Sequence, residues 1–163
     1  MRQAFAVFVG KVVLLLTRLR GGGSAFPGLV ALKIAPGLLT SAFARVPQGV
    51  VFVLGSNGKS TTTHMVSDLL RAHGLTVFTN PTGANLPQGV ASSLLGSVGA
   101  SGRVHADVAV LEVDEAFAVE LAGILSPRVV LGLNTQVDQL YRFFETERVG
   151  QMMLDAMALS RRA

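Results

Sequence analysis

A chain of 163 residues, half of them hydrophobic and only 15% charged, has room for one domain with a real core. Soluble domains average about 25% charged residues, so this composition excludes disorder and points to strands buried on both faces, or to a surface that something else covers. The chain has no Cys, which excludes a disulfide framework and a Cys-ligated zinc site. Six Pro and 18 Gly exclude one continuous helical bundle, and Lys11 breaks the most apolar stretch, Ala4 to Leu16, short of the roughly 18 residues of a membrane span.

Charge is distributed unevenly. Arg2, Lys11, Arg18, Arg20, Lys33, Arg45 and Lys59 all precede the first carboxylate, Asp68, within a net charge of +4. A carboxylate-free basic stretch suits an anionic partner such as phosphate or acidic lipid; it is equally compatible with an ordinary solvated helix face. No aromatic residues interleave with the basic ones as single-strand recognition requires, so no nucleic-acid partner is expected. Lys11 also divides the region that a signal peptide would keep apolar, and no small-residue cleavage site follows closely.

In chain order, residues 3–19 read as a helix: Phe5, Phe8, Val12, Leu15 and Leu19 recur at spacings of three and four, with Lys11 and Arg18 on another side. Gly21 to Ser24 ends it. Pro27-Gly28 and Pro36-Gly37 divide 25–45 into one or two short helices, and Pro47-Gln48-Gly49 is a loop. From residue 50 the rhythm becomes strand, loop, helix. Strands are expected at 50–54, 75–79, 107–113 and 129–133, helices at 61–73, 90–98, 116–125 and 149–159, and a Pro-containing loop at 80–88. Strands alternating with helices predict an α/β fold around a mostly parallel sheet.

The strongest chemical signal is Gly55-Ser56-Asn57-Gly58-Lys59-Ser60-Thr61, directly after an apolar strand and at the start of a helix. Glycines let successive N–H groups turn toward phosphate oxygens, and the helix adds its positive end. Lys59, expected as a solvent-side charge rather than a packing group, can reach the outer phosphates of a nucleotide, and the Ser60 hydroxyl can ligate Mg²⁺. The loop is a short variant of the phosphate-binding pattern, with Val53 where a first Gly is usual. Ligands of such sheets sit at the carboxyl ends of the strands. The third strand ends there in Glu112-Val113-Asp114-Glu115. Glu112 is the candidate Mg²⁺ ligand, whereas Asp114 and Glu115 are expected to cap the next helix. Asn134 and Asp138, after the fourth strand, are candidate rim residues. The three His show no ligand spacing.

These residues carry a resemblance. Gly55 to Thr63 resembles the G-T-N-G-K-T-T-T loop of the Mur ligases. Phe26-Pro27-Gly28, Asn80, Gly83-Ala84-Asn85, Glu112-Val113-Asp114-Glu115, and Asn134 followed by Asp138-Gln139-Leu140 are similar to one branch, the MurT-type subunits of lipid II isoglutaminyl synthase. The resemblance implies a helical amino-terminal segment, 1–48, followed by the amino-terminal part of a Mur-ligase-type ATP-binding central domain, 49–163. It implies an ATP- and Mg²⁺-dependent ligase that activates the D-glutamate α-carboxyl of lipid II as an acyl phosphate. Ammonia comes from a GatD-type glutaminase partner, and the product is D-isoglutamine, in peptidoglycan synthesis. Lys59 would steady the γ-phosphate, Ser60 and Glu112 would hold Mg²⁺, Asn57 and Thr61 would orient the loop, and Asn85 joins the rim candidates. A cytoplasmic location is implied, peripheral at the inner membrane face where the lipid substrate lies, and the role of the basic amino-terminal helix stays open.

Departures accompany the likeness. Ser60 replaces the family's usual Thr but keeps the hydroxyl, and Val137, Tyr141 and Phe144 stand where the family has Arg, Asp and Gly. The family continues past the position of residue 163 through a four-Cys zinc ribbon and a carboxyl-terminal domain. The chain is therefore expected to be the amino-terminal portion of such a subunit or a truncated relative of it, inactive in amidation by itself. Two alternatives stay open: another Mur-type or folylpolyglutamate-type ligase, and a non-catalytic nucleotide-binding fragment.

Overall fold

A computed structural model describes residues 2–21, 25–81, 83–99, 102–135 and 146–160. Helices α1 (Arg2–Leu19), α2 (Phe26–Ile34) and α3 (Leu38–Phe43) come first. Strand β1 (Val50–Leu54), helix α4 (Lys59–Ala72), strand β2 (Val77–Thr79), helix α5 (Pro87–Ser97), strand β3 (Val108–Glu112), helix α6 (Glu115–Leu125), strand β4 (Val129–Gly132) and helix α7 (Thr146–Ala158) follow.

The four strands form a parallel sheet in the order β2-β3-β1-β4. Side chains alternate between its faces, as the strand period demands. Phe52 and Leu54 of β1 and Ala109 and Leu111 of β3 enter the large core shared with α1–α3, α5, α6 and α7. Val53, Val108 and Val110 point the other way, into a smaller cluster with Val66 and Leu70 of α4. Every residue of β3 is buried, which explains why its sequence is almost continuously apolar.

Boundaries differ from expectation where helix-start chemistry was at work. Helix α4 begins at Lys59 rather than Thr61, with Gly58 as its N-cap. Helix α5 begins on Pro87, inside the stretch read as loop; Pro suits the first helical turn because its missing N–H would have no partner there. Gly28 of α2 touches α5 so closely that a Cβ would lie 2.0 Å from Gln88 O, and its N–H donates to Ser92 Oγ at 2.8 Å.

Helix α1 lies where its periodicity places it, but the face it buries is Ala6, Val7 and Gly10. The apolar stripe of Phe5, Phe8, Val12, Leu15 and Leu19, with Leu16, is exposed. Small residues let α1 approach α2 and α5 closely, so the larger side chains are left on the outside.

Candidate nucleotide-binding site

The phosphate loop joins β1 to α4 and is shaped by two glycines. Gly55 has φ +142° and Gly58 φ +84°, both in the region that disfavours side chains. A Cβ on Gly55 would meet Leu133 Cβ at 2.9 Å. Gly58 offers no side-chain cap, and the first intrahelical bond runs from Thr62 N–H to Gly58 O at 2.9 Å. The N–H groups of Lys59, Ser60 and Thr61 therefore have no partner within α4 and lie at its positive end.

Parallel pairing puts the ends of β3 and β4 on either side of this loop. On the β3 side, Val53 is opposite Glu112. Ser60 Oγ donates to Glu112 Oε2 at 2.7 Å. The Glu112 backbone is clamped by Asn80, whose Oδ1 accepts from Glu112 N at 2.9 Å and whose Nδ2 donates to Glu112 O and Ala84 O at 2.8 Å each. Asn80 is buried, a second support of the site that its position at the end of β2 could have signalled.

The next two carboxylates part ways. Asp114 is the N-cap of α6 as expected, accepting from Ala116 N at 3.0 Å. Glu115 is not a cap. It is fully buried, and its Oε1 accepts from Gly55 N at 3.0 Å and from Lys59 Nζ at 3.1 Å. Lys59 Nζ donates as well to Gly55 O and to Ser56 O, the latter at 3.3 Å, and its side chain is only 12% exposed. The expectation of a solvent-side lysine is thus corrected. The first turn of α6 lies beneath the loop, and a carboxylate buried there needs a cation beside it. Glu115 Oε2 has no hydrogen-bond partner among the described residues.

On the β4 side, Asn134 holds the loop from three atoms. Its backbone O accepts from Ser56 N at 2.9 Å, its Oδ1 accepts from Asn57 N at 3.0 Å, and its Nδ2 donates to Asn57 O at 3.1 Å. Asn85 meets the rim through its backbone, its O accepting from Asp114 N at 3.0 Å. Thr61 is exposed on the first turn of α4. Asp138, with Val137, Tyr141 and Phe144, lies outside the described residues.

A hollow of about 280 Å³ lined by Ser56 to Thr61 and Glu112 opens over this arrangement. A larger pocket, about 450 Å³, lies among Phe43, Val46, Leu125 and Arg128, away from these donors and cations. Asp107, ahead of β3, is held below the usual carboxylate range by the Thr76 hydroxyl and amide, which donate to it at 2.6 and 2.8 Å; it too is away from the loop. No group of three or more His, Cys, Asp or Glu able to hold a metal occurs among the described residues. Mg²⁺ needs fewer, because it keeps waters and takes phosphate oxygens. The hydrogen bond between Ser60 and Glu112 brings two oxygens together at the loop, and both are the hard oxygens this ion prefers.

The family model for the Mur ligase middle domain matches residues 53–155. The MurT subunit of lipid II isoglutaminyl synthase (glutamine-hydrolyzing) from Streptococcus pneumoniae is 36% identical over 142 residues, covering 87% of this chain and 31% of that protein. A UDP-N-acetylmuramoylalanine–D-glutamate ligase from Desulfotalea psychrophila is 43% identical over 128 residues, covering 78% of this chain and 24% of its own. Among solved structures, the MurF ligase from Thermotoga maritima in complex with ADP superimposes with a TM-score of 0.67 at 23% identity, covering 88% of this chain and 36% of that one, a likeness of fold. The chain spans about a third or less of the length of the curated relatives it matches.

Proposed function

The chain belongs to the Mur ligases through their middle domain, and from that premise we propose that it is the phosphate-binding part of an ATP-dependent amide-forming ligase of peptidoglycan synthesis. Within that class, the MurT-like reading is the best supported. The whole protein would activate the D-glutamate α-carboxyl of lipid II as an acyl phosphate, for amidation to D-isoglutamine with ammonia from a GatD-type glutaminase. The observation that carries the nucleotide role is the Ser60–Glu112 oxygen pair beside Lys59 and the three amides at the start of α4 that have no partner within the helix.

The amides of Lys59, Ser60 and Thr61 would bind phosphate oxygens. Lys59 would exchange its contacts with Gly55 and Ser56 for the transferred phosphoryl group while staying beside Glu115, and place its charge where stabilisation and positioning carry most of the rate. Ser60 and Glu112 would hold Mg²⁺, which when bound draws charge off the phosphates. Asn134 and Glu115 would keep the loop backbone in place while Lys59 moves. A cytoplasmic location follows from the same reading.

The test is nucleotide affinity with and without Mg²⁺. Lys59→Ala should weaken ATP binding by about tenfold or more, as loss of a charge-assisted contact does. Glu112→Gln should weaken the Mg²⁺-dependent part more than metal-free binding. Unchanged affinity in Lys59→Ala would sink the phosphate-loop reading, and a wild-type Mg²⁺ titration would make Glu112 a bystander. The Desulfotalea match supports a second reading, a Mur-type ligase whose nucleophile is an amino acid. Product formation by the full-length protein that requires D-glutamate and ignores glutamine would favour it.

A further inference from the structure

We propose that the outer face of α1 is a membrane-docking surface that lies flat on anionic lipid. Six large apolar side chains on this one helix are exposed: Phe5 59%, Phe8 66%, Val12 42%, Leu15 61%, Leu16 53% and Leu19 76%. At about 100° per residue they fall within an arc of about 100°, and the centre of that arc is opposite the buried Ala6, Val7 and Gly10. The stripe is therefore directed away from the protein's own core. Phe26 and Leu29 of the adjacent α2 are exposed as well.

The charges around the stripe indicate what covers it. Lys11 and Arg18 lie on one side of it along α1, and Arg2 on the other. Arg20 and Lys33 are exposed nearby, and no carboxylate occurs before Asp68. Arg2 donates to Ile34 O at 2.8 Å and Lys11 to Val98 O, bonds to neutral carbonyls, and neither has a carboxylate partner among the described residues. An apolar stripe flanked by cations, on a helix not long and apolar enough to cross a membrane, is the pattern of a helix that lies in the lipid interface. Apolar side chains enter the acyl boundary while Lys and Arg meet anionic headgroups. The choice of a bilayer over a protein as the occupant rests in part on the proposed reading, in which the substrate is lipid-linked. The charge pattern does not depend on it.

The experiment is co-sedimentation of the full-length protein with phosphatidylglycerol-containing vesicles and with pure phosphatidylcholine vesicles, at low and high salt. Binding should favour the anionic vesicles and fall as salt shortens the screening length. Phe8→Ser with Leu15→Ser should weaken it by about tenfold or more, the loss expected when two large apolar side chains no longer enter the lipid. Arg18→Ser with Arg20→Ser should weaken it to a smaller extent and flatten the salt dependence. All these side chains are exposed, and circular dichroism of each variant checks that the fold persists. Absence of vesicle binding, binding indifferent to both pairs, or concentration-dependent dimerisation that Phe8→Ser with Leu15→Ser abolishes while lipid is ignored would each overturn the proposal. Vesicle binding needs no nucleotide, so its outcome and that of the ATP titration are independent.

Discussion

At the carboxyl rim of the sheet, the phosphate loop is held from within. Glu115 takes the Gly55 amide and the Lys59 ammonium, and Asn134 takes the Ser56 and Asn57 amides. Along α1 the opposite holds: the helix is anchored by small residues, and its large apolar side chains face outward. The contrast separates two kinds of surface. The rim is polar and its loop is held by hydrogen bonds, while the first amides of α4 keep no partner within the helix, so a ligand there is met by donors already set in place. The α1 face is apolar and open, so covering it requires only removal of water.

The largest effect should come from undoing the rim. Glu115→Ala leaves Lys59, whose side chain is only 12% exposed, without its carboxylate and Gly55 N–H without its acceptor. Breaking a buried pair on one side costs about 3 kcal/mol. Glu115→Gln keeps an acceptor oxygen in the same place and should cost about half as much. Urea denaturation of the three proteins measures both. Equal losses below about 0.5 kcal/mol would show that the loop is not held by this residue.

A second effect, of about 2 kcal/mol, is expected where the helical layer meets α5. Gly28→Ala would put a methyl 2.0 Å from Gln88 O and 2.6 Å from Ser92 N, both backbone atoms that cannot swing aside. If the loss of stability is much smaller, α1 and α2 are loosely attached, and the exposure of the α1 stripe is then no guide to a working surface. A full loss fixes the layer in place and sharpens the distinction between its two sides.

Much of this is legible in the sequence. Val50 to Leu54 reads as a doubly buried strand, and Gly55 to Ser60 after it reads as a phosphate loop, because both signals are local. Glu112 was placed at the rim by its position at a strand end. Two things were hidden. The sheet order β2-β3-β1-β4 comes from pairing between distant segments, and only that order places α6 under the loop and turns Glu115 from a helix cap into the partner of Lys59. The direction of α1 was hidden too. Periodicity showed that Phe5, Phe8, Val12, Leu15 and Leu19 share a face, but which face packs was decided by close approach at Gly10 and Ala6, which a hydrophobicity pattern scores weakly. Pro87 repeated the lesson on a small scale: the residue that suggested a loop was the first residue of a helix.

The smallest expected effect is the one that most directly tests the contrast. Phe8 is 66% exposed and sits in the middle of the α1 stripe, so Phe8→Ser removes a ring that already meets water. The folded protein loses few contacts, and the change in stability should stay within about 0.5 kcal/mol, far below the 2–5 kcal/mol that a large core side chain costs. Ser has a somewhat lower helix propensity than the best formers, but its difference from Phe is small. Thermal and urea unfolding, read together, check this. A loss of about 2 kcal/mol or more would mean that Phe8 is buried in the protein as it exists in solution, by a second copy or by further chain. The outer face of α1 would then belong to the same class of surface as the core. A loss near zero, combined with weaker vesicle binding in the Phe8→Ser and Leu15→Ser protein, would leave the stripe with a role in contact and none in folding.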